Sequence, residues 1–172
     1  MEIEEVILVD ASDRPIGREE KLAAHRDGGK LHRAFSVFIF DAAGRLLLQR
    51  RAAGKYHFGG LWTNTCCGHP RWGEEVSAAA RRRLREELDI DCAVNEVGTF
   101  IYTATDPHSG LTENELDHVF TGTFAGEPVP NPQEIDTVRW ADPEDVQREL
   151  ATHPDRFTPW LPAALAEVMK QS

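Results

Sequence analysis

GHPRWGEEVSAAARRRLREELDI, residues 68–90, is the stretch whose reading decides the fold. Val76, Ala80, Leu84 and Leu88 recur every four residues, so Glu74–Leu88 is predicted to be a helix with one apolar stripe. A glycine-containing loop leads into it, and acids (Glu74, Glu86, Glu87) gather at its two ends. One apolar stripe means one face against a core and one face toward solvent or ligand.

Working outward, Leu31–Phe40 is strongly β-prone, and Asp41–Gly44 turns it into Leu46–Arg50 as a hairpin. A glycine-rich, aromatic stretch fills Gly54–Gly73. Upstream, Ile3–Asp10 reads as a strand ending in the turn residues Asp13, Pro15 and Gly17, with Arg18–His25 as a short helix closed by Asp27–Gly28–Gly29. Downstream, Ala93–Ala104 and Glu115–Phe124 read as strands joined by a polar loop. Glu127–Pro132 is a proline-rich turn, Ile135–Trp140 a strand, and Pro143–Leu150 and Pro159–Lys170 closing helices. Strands interspersed with helices imply one α/β (α+β) domain over residues 1–172, a mixed sheet flanked by helices.

A length of 172 residues suits one domain with a sizeable core. The 29 acids against 19 bases, net charge -10, argue against nucleic acid as a partner, since no basic stripe offsets them. No apolar run approaches the ~20 residues that span a bilayer. Glu2, Glu4 and Glu5 leave no basic region for a secretory signal. The three cysteines, Cys66, Cys67 and Cys92, are odd in number and lack paired spacing, which fits free thiols in a reducing compartment. A cytoplasmic monomer without membrane contact is expected.

Three constellations bear on chemistry. Gly68, Glu74, Arg82, Leu84, Glu86, Glu87 and Ile90 match most of the Nudix box, in which helix carboxylates hold Mg²⁺ and the ion holds a diphosphate. Two positions depart from it. Arg83 stands where hydrolases of that family carry a glutamate, and Asp89 where a glycine usually closes the helix. Arg83 and Glu87 are four apart and share a helix edge, which favours gripping a diphosphate over cutting it. In Thr63–Pro70, TNTCCGHP, an extended chain points Cys67 and His69 the same way, making Cys67 a better acid/base candidate than Cys66 or Cys92. In Thr112–Leu116, TENEL, a strand puts Glu113 and Glu115 on one side, where like charges repel unless a cation lies between them or one is protonated.

WTNTCCGHP, the altered box, TENEL and the final FTPW together resemble the type I isopentenyl-diphosphate isomerases, in order, from about Val6 to Trp160. The resemblance implies a tightly bound divalent ion on His25, His32, His69, Glu113 and Glu115. Such a set suits Mn²⁺ or Mg²⁺, with Zn²⁺ a further candidate. It implies a second Mg²⁺ that arrives with the substrate diphosphate at Glu87. It assigns Cys67 and Glu115 as proton donor and acceptor on opposite sides of a prenyl diphosphate, with Tyr102 assisting by a hydrogen bond near Glu115. Trp160 would face the carbocation, and Lys21, Arg51, Lys55 and Arg83 would anchor the diphosphate. His57, His108, His118 and His153 match no site position. The rivals are a Nudix pyrophosphohydrolase, which lacks its glutamate at Arg83 and gives Cys67 and the histidines no purpose, and a silent binding module, against which the intact acid and base candidates speak.

Overall fold

The computed structural model describes residues 4–55 and 57–171. In chain order the elements are β1 (Glu5–Val9), β2 (Pro15–Glu20), α1 (Lys21–Ala24), β3 (His32–Phe40), β4 (Leu46–Arg51), β5 (Trp62–Thr63), β6 (Cys66–Gly68) and α2 (Val76–Leu88). Then come β7 (Asn95–Thr105), β8 (Thr112–Thr123), β9 (Ile135–Ala141), α3 (Pro143–Thr152), a 3₁₀ turn at Pro154–Arg156, and α4 (Leu161–Met169).

The sheet is built around β3. Along one edge it runs parallel to β8, from His32 opposite Glu115 to Phe40 opposite Thr123. Along the other edge it meets three antiparallel strands in turn: β1 at Leu8–His32, β6 at Ser36–Cys67, and β4 at Phe40–Leu46. A strand covered on both faces reads as a near-continuous apolar run, which is why AFSVFIF does. Phe35, Val37 and Ile39 pack with Ala79, Ala80, Leu84 and Leu88 of α2. Phe38 with Leu46, Leu48 and Val119 packs against Leu161, Ala164, Leu165 and Val168 of α4 and Val146 of α3. Each Val, Leu, Ile or Phe among them contributes ~1.5–3 kcal/mol on full burial, so the two clusters fix both helix layers against β3.

The sequence reading differs from the structure in particular places. Ile3 lies outside the described residues, and β1 begins at Glu5. Pro15 and Gly17 belong to β2 rather than to a turn, and the helix expected over Arg18–His25 is strand to Glu20, then only one helical turn. PIGREE is an exposed strand, paired with β1 and carrying charges as edge strands do. Glu20 caps α1, accepting from the backbone N–H groups of Leu22 at 3.1 Å and Ala23 at 2.9 Å. Helix α2 starts at Val76, because Glu74 braces the preceding loop, accepting from Arg71 N–H at 2.8 Å and pairing with Arg82. Asp89 does close α2 in the left-handed conformation, φ 54° and ψ 38°, and Ile90 N–H reaches back to Leu84 C=O at 3.3 Å. TENEL is not a loop leading into a strand at Glu115, since β8 is already extended at Thr112.

Candidate active site and metal centre

Strand β8 alternates, and its odd positions Glu113, Glu115 and Asp117 fall on the face that carries α4. His32, directly across from Glu115 on β3, is on that same face. His25 comes from the end of α1 and His69 from the residue after β6. One ligand atom from each of His25, His32, His69, Glu113 and Glu115 lies within 4.8 Å of every other. His32 Nε2 is 3.2 Å and His69 Nε2 2.8 Å from Glu115 Oε2, and His25 Nε2 is 3.2 Å from Glu113 Oε2.

This donor set fits a divalent ion. His25 and His32 commit Nδ1 to the backbone carbonyls of Lys21 (2.6 Å) and Lys30 (2.8 Å), which fixes the ring and aims Nε2 inward. Glu113 and Glu115 are both buried, an arrangement that is costly without a cation between them. Burial pushes the His69 imidazole well below its usual pKa, which favours the neutral ring that a metal ion binds. Burial acts against ionisation of Glu115, but the His32 hydrogen bond and charge outweigh it and hold the carboxyl low.

His57, assigned no role from sequence, is part of the site. Its Nε2 contacts Glu113 Oε1, and its ring is edge-on to His25 at 5.3 Å. Asp117 was also missed, although it continues the two-residue period of Glu113 and Glu115. It accepts a hydrogen bond from Ser36 Oγ at 2.8 Å, and Ser36 Oγ is 3.8 Å from Cys67 Sγ. Burial, with the charge of Glu115, raises Asp117 well above an ordinary carboxyl.

Cys67 and Cys66 point to opposite faces of β6. Cys66 is buried in the α2 core and donates to Glu87 Oε2 at 2.9 Å. Cys67 opens on a cavity of about 590 Å³ that Glu113, Glu115, His69, Trp160 and Glu87 also line. Burial, reinforced by Asp117, pushes its thiol up to about 12, so it keeps its proton at neutral pH. Lys21, Arg51, Lys55 and Arg83 line the same cavity. Acids that the sequence did not flag attend them: Glu4 pairs with Lys21 at 3.0 Å, and Glu134 pairs with Lys55 and, at 3.5 Å, with Arg83. Arg83 also contacts Glu86 at 3.0 Å and Glu87 at 3.5 Å. The Arg51 guanidinium lies 5.5 Å over the Trp160 ring. The expected Tyr102–Glu115 hydrogen bond is not made. Tyr102 is opposite Glu115 in register, but its buried hydroxyl has no hydrogen-bond partner among the described residues, and its ring lies 6.2 Å from that of Trp160.

The layered fold and the acid-rich α2 beside a His/Glu cluster define a class, and the NUDIX domain family matches residues 30–161. The fold is shared with a Deinococcus radiodurans protein of known structure (TM-score 0.77, 21% identity, 95% of this chain and 98% of that one). It is shared too with a MutT protein from Methanosarcina mazei (TM-score 0.68, 16% identity, 82% and 94%). The chain is 51% identical over 166 residues to "Isopentenyl-diphosphate Delta-isomerase 2" of Aromatoleum aromaticum, covering 96% of this chain and 87% of the relative. It is 52% identical over 160 residues to the "Isopentenyl-diphosphate Delta-isomerase" of Nocardia farcinica, covering 93% and 91%. The chain belongs to the isopentenyl-diphosphate Delta-isomerase family of NUDIX-fold proteins.

Proposed function

We propose that the chain interconverts isopentenyl and dimethylallyl diphosphate, moving a double bond from the end of a five-carbon chain to its interior. The observation that carries the reading is that Cys67 and Glu115 open onto one cavity from the two strands that flank β3. The Cys67 thiol gives its proton to the terminal alkene carbon and becomes a thiolate. The alkene electron pair forms the new C–H bond and leaves a tertiary cation. The Glu115 carboxylate takes a proton from the neighbouring methylene, and that C–H pair becomes the new double bond. The Cys67 proton ends in the new methyl group and a substrate proton ends on Glu115, and the reverse reaction runs the same path backward.

Each positioned acid or base is worth on the order of 10²–10⁴-fold. Trp160 beside a desolvated cation adds about 2 kcal/mol, roughly 30-fold. Tyr102, with its hydroxyl uncommitted, is the group that would support Glu115 once substrate fills the cavity. Lys21, Arg51, Lys55 and Arg83 would hold the diphosphate, so that binding of the tail orients the alkene. His25, His32, His69, Glu113 and Glu115 would hold a divalent ion (Mn²⁺, Mg²⁺ or Zn²⁺), and Glu87 a Mg²⁺ that comes with substrate. When bound, the first ion supplies positive charge that keeps Glu115 ionised.

Hydrolysis is disfavoured by Arg83, which puts a cation where the hydrolase box needs a carboxylate. The same reading assigns the chain to isoprenoid precursor formation in the cytoplasm, as a monomer acting on a small molecule rather than on nucleic acid or a membrane. The net charge of -10 speaks against nucleic acid as the partner, and no helix among the described residues is long and apolar enough to cross a membrane.

Cys67→Ala is expected to lower kcat by on the order of 10²–10⁴-fold with KM nearly unchanged, and Cys66→Ala to do far less. Steady-state kinetics on both variants checks this, and equal losses would mean the wrong sulfur has been chosen.

A further inference from the structure

Two motifs more than 90 residues apart, Thr63–Asn64 and Thr158–Pro159–Trp160, meet at one atom, Asn64 Oδ1. It accepts from the Cys67 thiol at 3.3 Å, the Trp160 indole N–H at 3.3 Å and the Thr63 hydroxyl at 2.9 Å. The amide cannot flip. Its Nδ2 donates to the backbone carbonyls of Val37 (3.1 Å) and Cys66 (2.9 Å), where an oxygen would face two acceptors. Asn64 is fully buried, and the chain continues outward as the Thr158 hydroxyl donates to Thr63 Oγ1 at 2.7 Å. The backbone reinforces it, since Thr158 N–H donates to Trp62 C=O at 2.9 Å.

We propose that Asn64 is a positioning residue: its single amide oxygen holds the Cys67 sulfur and the Trp160 indole against the same substrate, and the Thr158–Thr63 hydroxyl chain holds that oxygen in place. The inference rests on the acid role of Cys67. The hydrogen bond to Asn64 fixes the sulfur, whose hydrogen must turn about Cβ–Sγ from Asn64 to the alkene, and a ring swung off the cation loses its contact. Among the described residues the hydrogen bonds of Asn64 go to Val37, Thr63, Cys66, Cys67 and Trp160 and not to the four basic residues assigned to the diphosphate, so its effect is expected on the chemical step more than on binding.

The test is steady-state kinetics with isopentenyl diphosphate on wild type, Cys67→Ala, Asn64→Ala, Thr63→Val and Thr63→Ser, with a thermal melt of each. Asn64→Ala is expected to lower kcat by about 10²-fold, the low end for a misplaced acid, with KM within about 2-fold. Because Asn64→Ala leaves two buried carbonyls without their donor and can fail to fold, the Thr63 pair carries the test independently. Thr63→Val keeps the shape but leaves the buried Thr158 hydroxyl unpaired, so it is expected both to melt lower and to lose about 10-fold in kcat. Thr63→Ser keeps the hydroxyl and full kcat but melts lower for its missing methyl group. A purely structural role predicts that kcat follows the melting temperature instead, and that order would overturn the proposal. Wild-type kcat in Thr63→Val and Asn64→Ala beside an inactive Cys67→Ala would overturn this inference alone, and an active Cys67→Ala would overturn the acid role beneath it as well.

Discussion

Strand β8 carries a histidine–carboxylate cluster on each of its two faces, and only one is built to hold an ion. On the inner face, His25 and His32 each spend Nδ1 on a backbone carbonyl and turn Nε2 toward Glu113 and Glu115. On the other face His118 spends both nitrogens on carboxylates, Nδ1 on Glu96 and Nε2 on Asp13 at 2.9 Å, while Arg33 neutralises Asp13 at 2.8 Å. The inner ligand atoms converge on a point, whereas the outer ones straddle a ring. The difference is that an imidazole becomes a ligand when its second nitrogen is already satisfied by the backbone. The outer cluster ties the β1–β2 turn to β7 and β8 as a partly exposed ion-pair network.

The comparison breaks first at the metal. An ion held by five residues from four separate segments stabilises the folded state by mass action. At a thousandfold over Kd the gain is about 4 kcal/mol, or roughly 8–16 °C in Tm for a chain of this size. Chelation is expected to remove that stability and turnover together, and His32→Ala to mimic both without touching Cys67. Elemental analysis after dialysis, paired with melts, checks it. A wild type that isomerises fully with no bound divalent ion would contradict the inner-face assignment.

Much of this site was legible in the sequence, and the rest was hidden for identifiable reasons. Helix α2 follows from its four-residue stripe, a local signal, and the two-residue spacing of Glu113 and Glu115 puts them on one side of a strand, whereas their place beside His25, His32 and His69 came from the resemblance alone. That second period also contains Asp117, and reading one residue pair further finds it. His57 has no such signal, since it sits in a glycine-rich loop and reaches Glu113 only through closure of the tertiary fold. The short helix placed over Arg18–His25 failed because an exposed, charged edge strand has the composition of a solvated helix.

A smaller effect sharpens the line between ligand and neighbour on the inner face. Ser36→Ala is expected to leave metal content unchanged while costing about 1–3 kcal/mol, because it strips the donor from a buried Asp117 oxygen. Denaturant melts and metal analysis on the same sample separate the two readouts, and loss of the ion would mean that Ser36 and Asp117 belong to the metal cage. Smallest in its effect on the inner face is His118→Ala, expected to cost about 1–3 kcal/mol because it removes a buried ring and the partner of Glu96 and Asp13, with metal content and kcat intact. A His118→Ala protein that loses its ion would erase the distinction between the two faces.

The most direct test of the account is NMR of the metal-loaded protein with isopentenyl diphosphate and Mg²⁺ in deuterated water, wild type beside Cys67→Ala. Wild type is expected to yield dimethylallyl diphosphate carrying deuterium at the newly formed methyl group, with the diphosphate intact, and Cys67→Ala to yield next to none. Release of phosphate or a monophosphate, or isomerised product without deuterium, would contradict protonation and deprotonation by Cys67 and Glu115.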